Sequence, residues 1–198
     1  MSFPPDLASH LIIISGPAGS GKTTLCDRLL QSSFPITRLI TSTSRDPREG
    51  EINGIDYHFL KPNQFKEAIE RGEFIEWAFV HGRYYCAQKK HLLDALHSGK
   101  DVLLNIDVQG AENYRSELGK DPRFHNRLIS IFVRPPSMDE IRSRLTVRGT
   151  DDNVEIDRRI ESAKKELQAA PHFDFIIESR SKEEDFLRLV QIYQTINK

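Results

Sequence analysis

Mainly apolar runs, rather than strict alternation, mark the clearest strand candidates, at 11–15, 102–106, 128–133 and 173–177, with 36–41 a shorter fifth. Strands apolar on both faces belong inside a parallel sheet covered by helices. Helical patterns separate most of these runs, the arrangement expected of βαβ units wound around one sheet. Residues 24–30 space their apolar side chains at helical intervals, and the tail 182–196 places Phe186, Leu189, Val190 and Tyr193 on one face. Between Thr41 and Gly99 the character changes. Short alternating pieces at 56–59, 74–80 and 83–86 surround a helix at 64–71, where Phe65, Ala68 and Ile69 share a face. That pattern predicts a small mixed α/β insertion. From Pro136 to Ala170 the chain is arginine-rich and helical, broken near Gly149-Thr150 and stopped by Pro171.

One motif turns this outline into chemistry. Gly16-Pro17-Ala18-Gly19-Ser20-Gly21-Lys22-Thr23 is a G-x-x-x-x-G-K-[ST] run, and it lies directly after the first strand and before the helix that Thr24 begins. A phosphate cradle needs that placement: the glycines turn backbone N–H groups inward, and the helix N-terminus adds positive potential. Lys22 would reach the β- and γ-phosphates of ATP, and the Thr23 hydroxyl would ligate Mg2+. The expected fold is therefore α/β, a P-loop kinase with a parallel five-stranded core sheet flanked by helices. Residues 10–40, 100–135 and 161–198 would form the core, with the insertion at 41–99 and a helical lid at 136–160.

Composition narrows the setting. A chain of 198 residues with 38% hydrophobic content fits one domain, and no apolar run approaches the roughly 20 residues that span a bilayer. The opening Met1-Ser2-Phe3-Pro4-Pro5-Asp6 lacks the basic start of a signal peptide. A net charge of −1 gives no global argument for nucleic-acid binding. The two cysteines, Cys26 and Cys86, lack metal-ligand spacing, so a cytoplasmic location is expected.

A second motif begins at Thr43-Ser44-Arg45-Asp46-Pro47-Arg48-Glu49-Gly50-Glu51 and continues to Gly54, Tyr57 and Phe59. Here the chain resembles the guanylate kinase family, whose signature it satisfies at every position. The resemblance extends to Phe74-Ile75-Glu76-Trp77-Ala78, the Tyr84-Tyr85 pair, Asp107-Val108-Gln109-Gly110 and Arg148-Gly149-Thr150. The residue types make sense on their own. A nucleoside monophosphate carries close to two negative charges, which Arg45 and Arg48 can grip with bidentate forks while Tyr57 and Tyr85 each donate an O–H. Guanine offers adjacent N1–H and amino donors that one carboxylate can accept together, whereas adenine presents a bare acceptor there. Glu76 is the candidate for that carboxylate, and the resemblance implies the same position. Asp107, at a strand end, is expected near the guanine amine and the Mg2+ shell, and Thr41 is a hydroxyl partner for guanine O6.

The resemblance further implies Glu51 in the GMP site and Arg144, Arg148 and Arg159 as catalytic lid arginines beside Lys22 and Arg45. It implies an ATP:GMP phosphotransferase that also accepts dGMP, acting as a monomer or small homo-oligomer without nucleic-acid or membrane partners. The insertion and lid would move toward each other when both nucleotides bind. Four positions depart from the family pattern. Cys86-Ala87 stands where Gly and then Ser or Thr follow the tyrosine pair, leaving Gln88 as a replacement hydrogen-bonding group. Asn105-Ile106-Asp107 replaces Asp-x-Asp, and Glu178 replaces an Asn. Two other classes fit parts of the pattern: a silent guanylate-kinase-like interaction module, and a P-loop kinase for another phosphorylated acceptor. Retention of Gly21, Lys22 and Thr23 argues against the first, and the tyrosine–glutamate set against the second.

Overall fold

The computed structural model describes residues 8–80, 82–148 and 152–198; the side chains of Val80 and Arg148 lie outside the description, as do Gly149 and Thr150 of the motif above. Nine strands run in chain order as β1 (Leu11–Ser15), β2 (Ile36–Arg38), β3 (Ser42–Thr43), β4 (His58–Phe59), β5 (Phe74–Val80), β6 (Arg83–Gln88), β7 (Asp101–Asn105), β8 (Leu128–Arg134) and β9 (Phe175–Glu178) among the described residues. The helices are α1 (Lys22–Leu30), α2 (Pro62–Glu70), α3 (Lys89–His97), α4 (Val108–Leu118), α5 (Met138–Arg148), α6 (Asn153–Glu166) and α7 (Lys182–Ile196).

The larger sheet is parallel and five-stranded, in the order β2-β7-β1-β8-β9, as the apolar runs predict. Every residue of β1 is buried, which is why its sequence shows no alternation. Several boundaries shift from the sequence expectation, among them β2, which ends at Arg38 rather than 41, and β7, which runs one residue earlier; two shifts have a clear cause. β9 opens at Phe175 rather than 173, because Phe173 ends a 3-10 turn and its ring packs against Phe132 at 5.1 Å. The α6 helix stops at Glu166, before Pro171, and the chain continues as a 3-10 helix, Leu167–His172, that contains the proline. Side chains close the helix starts: Asp152 accepts from the Glu155 N–H and Ser181 from the Glu184 N–H.

The smaller sheet is mixed, in the order β4-β3-β6-β5, with β3 parallel to β4 and antiparallel to β6. Pro62 at the first turn and the Gln64 side chain, which accepts from the Lys61 N–H at 2.8 Å, start α2. That helix then buries Phe65 and Ala68 against Phe74 and Cys86. No described helix is long and apolar enough to cross a membrane.

Two compact units divide the chain. One holds residues up to Leu11 with Pro35–Leu104 and Glu112–Leu128; the other holds Ile12–Phe34, Asn105–Ala111 and Ile129–Lys198.

Candidate active site

In the second unit the glycine-rich loop leaves β1 and enters α1 through three left-handed glycines: Gly16, Gly19 and Gly21 have φ of 139°, 80° and 99°. Gly16 leaves no room for a side chain, since a Cβ would stand 2.4 Å from the Val133 carbonyl oxygen. Gly16→Ala is therefore expected to destabilise the protein by at least about 2 kcal/mol. A thermal unfolding midpoint equal to that of the parent would contradict this reading. Pro17, Ala18 and Ser20 complete the loop; the Ser20 N–H donates to the Pro17 carbonyl at 3.2 Å, and the buried Ser20 hydroxyl has no partner among the described residues.

Lys22 folds back so that Nζ donates to the carbonyls of Gly16 and Pro17, at 2.6 and 2.8 Å. Burial lowers its pKa to about 8, opposed by the negative charges of Glu166 and Asp107. Glu166, at the end of α6, belongs to no sequence motif. Its carboxyl is shifted upward by burial, and Ser162 Oγ donates to it at 2.8 Å. Thr23 and Thr24 are exposed at the start of α1, and the Asn105 amide donates to Thr23 Oγ1 at 3.3 Å. Asp107, just past β7, is exposed, with Oδ1 held by the Gly110 N–H at 2.7 Å.

Of the arginines on the helical segment, Arg144 contacts the loop directly: Nη1 donates to the Gly19 carbonyl at 3.2 Å and Nε to Glu140 at 2.8 Å. Arg159 is paired with Glu155 at 3.2 Å, one turn away on its own helix. Arg148 ends α5, and its side chain lies outside the described residues. Glu178 ends β9 and accepts from Arg134 at 2.6 Å.

The first unit gathers the second motif. Arg45 holds Glu51 through both guanidinium nitrogens, at 2.6 and 2.5 Å, and the Arg48 N–H donates to the same carboxylate at 2.7 Å. The Arg45 fork pulls the Glu51 carboxyl down to about 2. The stabilisation this pair supplies is therefore complete above the ordinary carboxylate pKa and lost only as pH falls through about 2. The Arg45 guanidinium also lies 5.1 Å from the Tyr57 ring centroid and 5.5 Å from that of Phe59. Tyr57 meets Tyr85 edge-on at 6.4 Å, and burial raises the Tyr57 pKa, so the phenol remains a donor. Arg45, Glu51, Tyr57 and Tyr85 thus converge, whereas the Arg48 side chain is exposed. Thr41 precedes β3, and its carbonyl accepts from the His58 N–H at 2.8 Å.

Glu76 on β5 is only 8% exposed, an unusual burial for a strand carboxylate. Asn113 Nδ2 donates to its Oε2 at 3.4 Å. Beside it opens a cavity of about 330 Å3, whose walls include Ile69, Glu76, Trp77, Asn113 and Ser116.

The family model for guanylate kinase matches residues 8–195. The guanylate kinase of Dechloromonas aromatica (strain RCB) is 43% identical over 171 residues, covering 86% of this chain and 81% of that protein. That of Nitratidesulfovibrio vulgaris is 41% identical over 189 residues, covering 94% of this chain and 88% of its own length. The crystal structure of guanylate kinase from Anaplasma phagocytophilum superposes with a TM-score of 0.74 at 28% identity, covering 96% of this chain and 87% of that one. With its phosphate loop, its arginine–tyrosine cluster and a family match that runs almost end to end, this chain belongs to the guanylate kinase family.

Proposed function

We propose that this protein transfers the γ-phosphoryl group of ATP to the phosphate of GMP or dGMP, releasing ADP and the nucleoside diphosphate. The carrying observation is that one chain of this family joins a lysine-bearing phosphate loop to an Arg45–Tyr57–Tyr85 cluster and a buried strand glutamate. The nucleophile is already an anionic phosphate oxygen, so no general base is needed. The barrier lies in bringing two polyanions together, and catalysis becomes alignment and charge neutralisation.

Residues 16–24 would cradle the ATP phosphates, with Lys22 exchanging its two carbonyl partners for phosphate oxygens. Among the described residues no group of three or more His, Cys, Asp or Glu is arranged to hold a metal alone. The donors present fit Mg2+ completed by substrate oxygens and water: a hydroxyl at Thr23 and a carboxylate at Asp107. When bound, the ion neutralises charge on the donor phosphates. Arg144, Arg148 and Arg159 would stabilise the transferring group and exclude water, with 136–160 acting as a lid.

On the acceptor side, Arg45, Arg48, Tyr57 and Tyr85 would fix the GMP phosphate, with Glu51 holding the Arg45 fork in place. Glu76 would accept from guanine N1–H and the amino group, while Thr41 reaches O6 and Asp107 approaches the amine. Residues 41–99 then form the GMP-binding insertion, and the enzyme works in the cytoplasm as a monomer or small homo-oligomer.

A coupled ADP-release assay across GMP, dGMP, AMP, UMP and CMP tests this reading. Turnover is expected with GMP and dGMP, dependent on Mg2+, and at least about a hundredfold lower kcat/KM with AMP. Equal or faster turnover with AMP would end the guanine assignment.

A further inference from the structure

The register of the smaller sheet gives the departure at position 87 a consequence. Glu76 pairs with Ala87 across β5 and β6, so the two side chains occupy the same face of the sheet. Ala87 is completely buried and offers only a methyl group, so this carboxylate has no hydroxyl at its cross-strand position. Gln88 does not fill the gap, because it pairs with Phe74 and strand alternation turns it to the other face. Cys86 is likewise turned away, into the cluster of Phe65, Ala68 and Phe74. A buried carboxylate nevertheless needs partners that fix its orientation.

One such partner comes from α4, and a second candidate lies beside it in the chain. The Asn113 amide already donates to Glu76 Oε2, at a long 3.4 Å. The next residue, Tyr114, is 0% exposed, and its phenol oxygen has no hydrogen-bond partner among the described residues. Burial holds the Tyr114 pKa well above its ordinary value, with the Glu76 and Cys86 charges acting in the same direction, so the phenol keeps its proton. A protonated, buried donor lacking an acceptor is costly, and native proteins rarely keep one without a reason.

We propose that Asn113 and Tyr114 are positioning residues that orient the Glu76 carboxylate toward the guanine edge, taking over from the hydroxyl absent at Ala87. The inference rests on the reading of Glu76 as the guanine acceptor. The Asn113 bond is long and the Tyr114 hydroxyl lacks a partner among the described residues, so both donors would serve a Glu76 carboxylate turned toward the base.

The test compares Tyr114→Phe, Asn113→Ala and Glu76→Gln with the parent, reading the KM for GMP, the KM for ATP and the thermal midpoint, with Ala87→Ser then added to each α4 variant. Tyr114→Phe removes one oxygen and preserves packing. It is expected to raise or maintain the thermal midpoint while raising the KM for GMP about three- to tenfold, the scale of one hydrogen bond. Asn113→Ala is expected to raise the KM for GMP to a similar degree, with the KM for ATP changed less than about twofold in both variants. Adding Ala87→Ser should return part of the lost GMP affinity. An unchanged KM for GMP in both α4 variants, with Glu76→Gln still damaging GMP use, overturns the positioning role and leaves the base reading standing. Parallel rises for GMP and ATP would mark general structural damage and also overturn it. If Glu76→Gln itself leaves the KM for GMP unchanged, the base reading fails and the positioning role falls with it.

Discussion

Lys22→Ala is expected to lower kcat by about a hundred- to a thousandfold, or roughly 3–4 kcal/mol of transition-state stabilisation, while the protein stays folded. The folded state should survive because, among the described residues, Nζ makes hydrogen bonds only to the loop carbonyls of Gly16 and Pro17, and both carbonyls can turn to water once it is gone. Removing the side chain also relieves a buried charge, as the lowered pKa of about 8 indicates. The thermal midpoint is therefore expected to hold or rise as activity collapses. Single-turnover measurement at saturating ATP separates lost chemistry from lost binding. A folded variant that retained the parental rate would remove the basis for assigning the donor site to this loop.

Glu76→Gln is expected to reduce kcat/KM for GMP by about a hundredfold while leaving the KM for ATP within about twofold. The change keeps shape and removes charge. A carboxylate accepts from both guanine donors, whereas an amide presents one acceptor and turns its NH2 toward the other donor. Because Glu76 is 92% shielded from solvent, water cannot readily compensate for the mismatch. IMP, which lacks the amino group, should discriminate less between parent and variant than GMP does. Equal losses for GMP and IMP would instead mean that Glu76 supports the strand rather than reading the base.

Much of the fold is legible in the sequence, for a reason that particular elements make clear. β1 and β5 occupy the residues their apolar patterning predicts, and α7 runs over 182–196 as its periodicity does. β3 is invisible by the same logic, being two polar residues, Ser42 and Thr43, held by pairing on both sides rather than by their own character. The early end of α6 reflects tertiary packing beyond the reach of a proline rule: Ala169 and Ala170 are buried in the 3-10 turn that replaces the last helical turn. At the candidate site, the loop residues and the Arg45–Tyr57–Tyr85 set are legible because each belongs to a contiguous motif. The contributions of Glu166, Asn113 and Tyr114 are not. Each sits on a helix where local sequence reads as solvated face or core, and only folding carries it to a distant charged partner.

The clasp between Arg45 and Glu51 has a further consequence. Both oxygens of that carboxylate already occupy the guanidinium fork, so the arginine meets any incoming anion with its charge largely balanced. A small competitor such as free orthophosphate must share the cation or displace a tethered rival, and it brings no purine to add to the exchange. On the proposed reading, a whole nucleotide would also gain contacts at its other end. Free orthophosphate is therefore expected to compete weakly at this cluster, and an acceptor stripped of its base should be a poor inhibitor.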